Sequence, residues 1–136
     1  MYIYTKRSQL LDMITNQKML KLLLNTKSIL CDVADNGQIA VEIISQDVSK
    51  YNIVFMDYTM PVMSGCEAVR LLRSIGFTNL IIGVTGNVLN DDIKAFYDSG
   101  VDIVYRKPFK MADLMYILEY IQNNGFKSSG RMFISD

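Results

Sequence analysis

Three polar residues stand where runs of apolar residues end. Tyr51-Asn-Ile-Val-Phe-Met closes on Asp57, Asn79-Leu-Ile-Ile-Gly-Val closes on Thr85, and Lys107 follows just past Tyr105 at the end of Gly100-Val-Asp-Ile-Val-Tyr. If the runs are strands of one parallel sheet, an acid, a hydroxyl and an ammonium converge beyond the strand carboxyl ends, where open α/β sheets bind ligands. The acid could accept a phosphoryl group or hold a hard cation. The hydroxyl and the lysine could then neutralise phosphoryl oxygens as charge develops, because positioning and electrostatics supply most phosphoryl-transfer catalysis. Singly, each residue has a plainer reading: Asp57 as a turn cap, Thr85 as a β-branched strand residue, Lys107 as a solvated loop residue. The conjunction favours a site.

The rest of the composition narrows the chemistry. The 136 residues contain no histidine, which excludes zinc sites using His, Ser-His-Asp triads, Cys-His pairs and a phosphohistidine carrier role. Lys plus Arg and Asp plus Glu both total 14, so the chain lacks the cationic excess of a generic nucleic-acid binder. No apolar run approaches the ~20 residues of a membrane span, and Met1-Tyr-Ile-Tyr-Thr-Lys-Arg lacks a secretory h-region. Cys31 and Cys66 lie in apolar-rich segments and read as buried, reduced thiols of a cytoplasmic protein.

The elements that would position the three polar groups alternate. Strands are expected at 28–34, 51–57, 79–85 and 100–105. Between and after them come helices carrying Ala40, Ile43 and Ile44; then Ala68, Leu71, Leu72 and Ile75; then Ile93, Phe96 and Tyr97; and finally Leu114, Ile117, Leu118 and Ile121. Asp35-Asn36-Gly37 marks the turn into the first of these helices. Strand–helix alternation implies right-handed βαβ units and a doubly wound α/β domain with a parallel sheet. A first strand could be Met1–Thr5 or Ser8–Leu11, and residues from Leu10 to Leu24 mostly suit an amphipathic helix. Gly125 should stop the last helix, giving one domain over 1–125 and a polar tail over 126–136.

Val54-Phe-Met-Asp57-Tyr-Thr-Met-Pro61-Val-Met-Ser-Gly65, then Gly83-Val-Thr85-Gly86, then Lys107-Pro108-Phe109, closely resemble the receiver domain of two-component response regulators. Within that family the Gly83-Val-Thr-Gly-Asn87 stretch is most similar to receivers of eukaryotic-type hybrid histidine kinases. The resemblance spans roughly residues 10–122 and implies a five-stranded parallel sheet of flavodoxin-like order. It implies that Asp57 is the phosphoacceptor, charged by a histidine kinase or histidine phosphotransfer protein, with Thr85 and Lys107 contacting the aspartyl phosphate. It further implies a small residue at Gly86 to keep the acceptor accessible, a cis peptide before Pro108, and Mg²⁺ held by Asp57, Asp12 and the Thr59 carbonyl. The domain would be a signalling module rather than an enzyme, with neither nucleic acid nor membrane as a partner.

Two positions depart from the family pattern. Leu11 precedes Asp12 where an acidic pair is expected, which implies weak Mg²⁺ binding. Val104 stands where an aromatic residue commonly lies three positions before the lysine, and the aromatic here is Tyr105, whose side chain should point to the opposite face and serve packing. A degenerate pseudo-receiver acting as a phosphorylation-independent interaction module is the alternative. A flavodoxin-like nucleotide or flavin binder is a weaker one, since Thr5-Lys-Arg-Ser-Gln9 lacks the glycine of a phosphate loop.

Overall fold

The continuous apolar runs become the centre of a sheet. In the computed structural model, which describes residues 2–5, 31–59, 62–86, 89–107 and 109–128, strands β3 (Tyr51–Asp57) and β4 (Leu80–Thr85) are buried at every position. Strands covered on both faces carry no polar-out alternation, which is why the sequence reads there as unbroken hydrophobicity. β4 pairs in parallel with β3, placing Asp57 opposite Val84, and with β5 (Ile103–Arg106), placing Thr85 opposite Arg106. With β1 (Tyr2–Thr5) and β2 (Cys31–Val33) the sheet has five strands in the order β2-β1-β3-β4-β5.

Four helices are described, α1 (Gly37–Gln46), α2 (Gly65–Ser74), α3 (Asn90–Ser99) and α4 (Met111–Asn124). Ala40 and Ile44 of α1, Ala68, Val69 and Leu72 of α2, and Phe96 of α3 pack with Val54, Met56 and Ile81 on one face of the sheet. Leu114 and Ile117 of α4 pack with Ile53, Phe55, Ile82 and Ile103 on the other. The result is the doubly wound, three-layer α/β/α arrangement expected from the alternation, with the flavodoxin-like order that the resemblance implies. No helix among the described residues is long and apolar enough to cross a membrane.

The all-parallel expectation is corrected at β1. Of the two candidate first strands, the one at the amino terminus enters the sheet, and it runs antiparallel to both β2 and β3. A strand between two neighbours must satisfy donors and acceptors on both edges, and an antiparallel ladder does this as well as a parallel one. Tyr2 lies opposite Phe55 and Thr5 opposite Tyr51, so the carboxyl end of β1 faces away from the Asp57 rim. The alternative strand Ser8–Leu11, the amphipathic segment from Leu10 to Leu24, and Asp12 with Leu11 all lie outside the described residues.

Helix boundaries follow local chemistry. The Asn36 side chain accepts a hydrogen bond from the Ile39 N–H at 2.9 Å and caps α1, and the Ser64 hydroxyl accepts from the Glu67 N–H at 3.3 Å and caps α2. Asp113 accepts from the Lys110 N–H at 3.0 Å at the start of α4, which ends at Gly125 with φ of +82°. Leu71 and Ile75, expected on the buried face of α2, are exposed, and Val69 takes the inward position.

The chain stays ordered past Gly125. Leu80 N–H donates to the Phe126 carbonyl at 2.9 Å and Ser128 N–H to the Thr78 carbonyl at 2.8 Å, so residues 126–128 extend the hydrogen bonding at the start of β4. The Ser128 hydroxyl donates to Asp102 Oδ1. Asp102 also accepts from the Ile81 N–H at 2.8 Å and from Arg73 Nη2 at 2.9 Å. Arg73 in turn donates to the carbonyls of Gly100, Phe77 and Asn79. One guanidinium thus ties the end of α2 to the starts of β4 and β5, at the pole opposite Asp57. Burial pushes the Asp102 carboxyl pKa up and the Arg73 pKa down, and each partner offsets the other's shift.

Candidate functional site

The carboxyl ends of β3, β4 and β5 bring Asp57, Thr85 and Lys107 to one rim. The Lys107 backbone N–H donates to the Thr85 carbonyl at 2.8 Å, which continues the β4–β5 ladder and fixes the start of the Lys107 side chain. Its Nζ reaches to 3.0 Å from Asp57 Oδ1 across β4. The two members differ in solvation: the Asp57 side chain is 1% exposed and that of Lys107 is 28% exposed. A carboxylate so placed is costly to bury without a partner, and Lys107 is that partner. The Thr85 side chain is buried on the same rim. The sequence-expected constellation is therefore assembled.

The loop leaving Asp57 is held by its backbone. Tyr58 N–H donates to the Val84 carbonyl at 3.0 Å, and the Tyr58 carbonyl accepts from the Gly65 N–H at 3.0 Å. The second contact brings the start of α2 so close to β3 that a Cβ on Gly65 would lie 2.1 Å from the Asp57 carbonyl oxygen. Gly65→Ala should therefore displace the Asp57 loop, lowering unfolding stability by about 1–3 kcal/mol or more. Urea denaturation and acetyl-phosphate labelling of the same variant measure both consequences, and unchanged values in the two would contradict this contact. Gly86 behaves differently. It is exposed, and a Cβ there would meet nothing within 4 Å, so packing does not demand a glycine and the approach to the rim is open. Val62, in the same loop as Thr59, is 74% exposed with φ of +71°, a left-handed conformation unusual for a β-branched residue.

The residues around the loop were less legible. Tyr58 donates its hydroxyl to Asp92 Oδ1 of α3 at 3.0 Å, and its ring meets Phe96 edge-on at 5.2 Å. Burial and then the Asp92 carboxylate raise the Tyr58 pKa. No spacing rule links residues 58 and 92, and only their meeting across β4 reveals the pair. Tyr105 takes the packing role expected of it, edge-on to Phe109 at 5.5 Å on the α4 side, and burial raises its pKa. Val104 packs on the opposite face with α3, and its N–H donates to the Tyr97 hydroxyl at 3.1 Å.

Hard oxygen donors are the class that Mg²⁺ prefers. The buried Asp57 carboxylate and the carbonyl of exposed Thr59 are of that class. Among the described residues no group of three or more acidic or sulfur side chains gathers into a metal site. Asp12, the further expected ligand, and Pro108, the expected cis proline, lie outside those residues.

Comparison with known proteins agrees with this geometry. The response regulator receiver domain family matches residues 12–119. Two-component response regulator ORR41 of Oryza sativa subsp. japonica is 39% identical over 87 residues, which cover 64% of this chain and 68% of that protein. Hybrid signal transduction histidine kinase I of Dictyostelium discoideum is 32% identical over 131 residues, covering 87% of this chain but 8% of that protein. Among solved structures, the receiver domain of sensor histidine kinase PA1611 from Pseudomonas aeruginosa, with a magnesium ion coordinated in its active-site cleft, superposes with a TM-score of 0.69. It is 29% identical, and the match covers 80% of this chain and 89% of that one. With the acid, hydroxyl and lysine gathered on one rim of the fold and this match across most of its length, the chain belongs to the response regulator receiver domain family of two-component signalling.

Proposed function

We propose that this receiver accepts a phosphoryl group on Asp57 from a phosphohistidine on a partner histidine kinase or histidine phosphotransfer protein, and then signals by protein contact or onward transfer. The observation that carries this reading is the 3.0 Å approach of Lys107 Nζ to the buried Asp57 carboxylate, beside Thr85. In the transfer an Asp57 oxygen attacks phosphorus, the bond from phosphorus to the donor imidazole nitrogen breaks, and the imidazole leaves with the electron pair and is reprotonated by solvent. Lys107 provides a positive charge beside the moving phosphoryl oxygens, and Thr85 provides a hydroxyl donor. The burial of the Asp57 carboxylate strengthens both interactions.

Asp57, the Thr59 carbonyl and Asp12 would hold Mg²⁺ in this site. When bound, the ion supplies charge neutralisation between the acceptor carboxylate and the incoming anion. Leu11 offers no oxygen to orient a metal-bound water, and the expected affinity is correspondingly weak. The magnesium-containing Pseudomonas receiver supports the general reading.

Intact mass after incubation with Mg²⁺ and acetyl phosphate tests the function. One added phosphoryl group supports the phosphoacceptor reading, and no adduct at saturating donor favours the phosphorylation-independent interaction module. Lys107→Ala should slow adduct formation by about 100-fold or more, the effect of removing one preorganised charge-stabilising group. Its Mg²⁺ affinity should hardly change, because an ammonium donates no electron pair to the cation. Equal losses in both measurements would mean that Lys107 organises the pocket rather than the transferred group.

A further inference from the structure

We propose that Tyr58 is the positioning residue that transmits the state of Asp57 to the first turn of α3, through its hydrogen bond to Asp92. The inference rests on phosphoacceptance at Asp57 as proposed above.

Tyr58 is bonded directly to Asp57, and its main chain is clamped between two neighbours of the site. Its N–H is fixed to Val84, the residue before Thr85, and its carbonyl to Gly65 at the start of α2. A shift of either Asp57 or the end of β4 therefore moves the Tyr58 backbone. The side chain carries that movement outward, since its hydroxyl lies 3.0 Å from Asp92 Oδ1 and its ring rests on Phe96.

The rest of α3 is anchored independently. Phe96 lies so close to β4 that a Cβ on Gly83 would be 2.6 Å from its ring. Five residues after Asp92, Tyr97 accepts the Val104 N–H of β5 at 3.1 Å. The middle of the helix is thus fixed to the sheet by close packing and by a backbone hydrogen bond. Its first turn is joined to the Asp57 loop through the Tyr58 hydroxyl. With the middle of the helix fixed to the sheet, a movement of Tyr58 bears on its start. Leu89, 62% exposed at that end, is carried with it.

The competing route through β5 is poorly built for the task. Val104 faces the α3 side without a polar atom on its side chain, and Tyr105 points to the α4 side against Phe109. Neither side chain can exchange a hydrogen bond between the rim and α3 as that of Tyr58 can.

The test is amide NMR of the chain with Mg²⁺, before and after addition of beryllofluoride, for wild type, Tyr58→Phe, Asp92→Ala and Asp92→Asn. Adduct occupancy is read from the amides of Asp57, Thr85 and Lys107, and the response from those of Asp91, Asp92 and Ile93. Wild type should show both sets of shifts. Tyr58→Phe and Asp92→Ala should keep the first set and lose more than half of the second at equal occupancy. Asp92→Asn retains an oxygen acceptor and should restore most of the response, which a merely structural role for the pair would not require. Full α3 shifts in Tyr58→Phe at equal occupancy, or none in an occupied wild type, overturn the transmission route while leaving phosphoacceptance standing. Absence of any adduct shift at Asp57, Thr85 and Lys107 in wild type overturns both.

Discussion

Asp57→Asn is expected to abolish phosphoryl labelling by acetyl phosphate while the domain remains folded. The amide matches the carboxylate in size but is a far weaker nucleophile, and no other acid shares its position beside Lys107 and Thr85 among the described residues. Stability should stay within about 1 kcal/mol of wild type or rise slightly, since the variant no longer buries a charge. Lys107, already 28% exposed, can turn its ammonium into water when its partner is gone. Intact mass and urea denaturation of one preparation give both numbers. Labelling that persists at the wild-type level would place the acceptor elsewhere and remove the basis of the proposed function.

The largest loss of stability is expected at the other pole of the sheet. Asp102 is 1% exposed and accepts hydrogen bonds from Arg73, the Ile81 N–H and the Ser128 hydroxyl. Removing one member of a buried ion pair costs about 3–5 kcal/mol because it leaves the other uncompensated. Asp102→Ala should approach that figure, a large part of the ~5–15 kcal/mol by which a domain is stable. It strands the Arg73 guanidinium, which still holds the Gly100, Phe77 and Asn79 carbonyls, and it orphans a buried N–H at Ile81. Arg73→Ala should cost a similar amount, and the double variant less than the sum, because the two residues belong to one network. Urea unfolding of the three variants checks this, and strict additivity would show that the pair does not act as a unit. The site at Asp57 lies at the opposite end of the strands, so whatever fraction remains folded should still accept a phosphoryl group.

These two regions also differ in how visible they were before the chain folded. Asp57 and Thr85 announce themselves because each ends a run of apolar residues, and a strand buried on both faces has no reason to carry an acid except at its end. Asn36 and Gly125 are equally local, since a helix cap depends on a few neighbouring residues and little else. Strand–helix alternation determined the layers and the rim on which chemistry should occur, and the resemblance in motifs implied the strand order. The resemblance in motifs determined which residues to align there.

Tertiary structure decided the remainder, because each remaining feature joins residues distant in sequence. Arg73 reads as an ordinary basic residue in the last turn of α2 until the starts of β4 and β5 surround it with carbonyls and Asp102. Leu71, Val69 and Ile75 all suit an amphipathic helix, and only the azimuth at which α2 meets the sheet selects Val69 for the core. β1 was expected to run parallel with its neighbours and runs antiparallel to both, because either direction can satisfy the same ladder of backbone groups. Residues 126–128 have the composition of a tail, and hydrogen bonds to Thr78, Leu80 and Asp102 hold them in place. Periodicity and spacing specify what a residue can do along its own element. Which partner it meets across the sheet is set by packing, and in this protein that separates the buried acid beside Lys107, Asp57, from one that holds the fold together, Asp102.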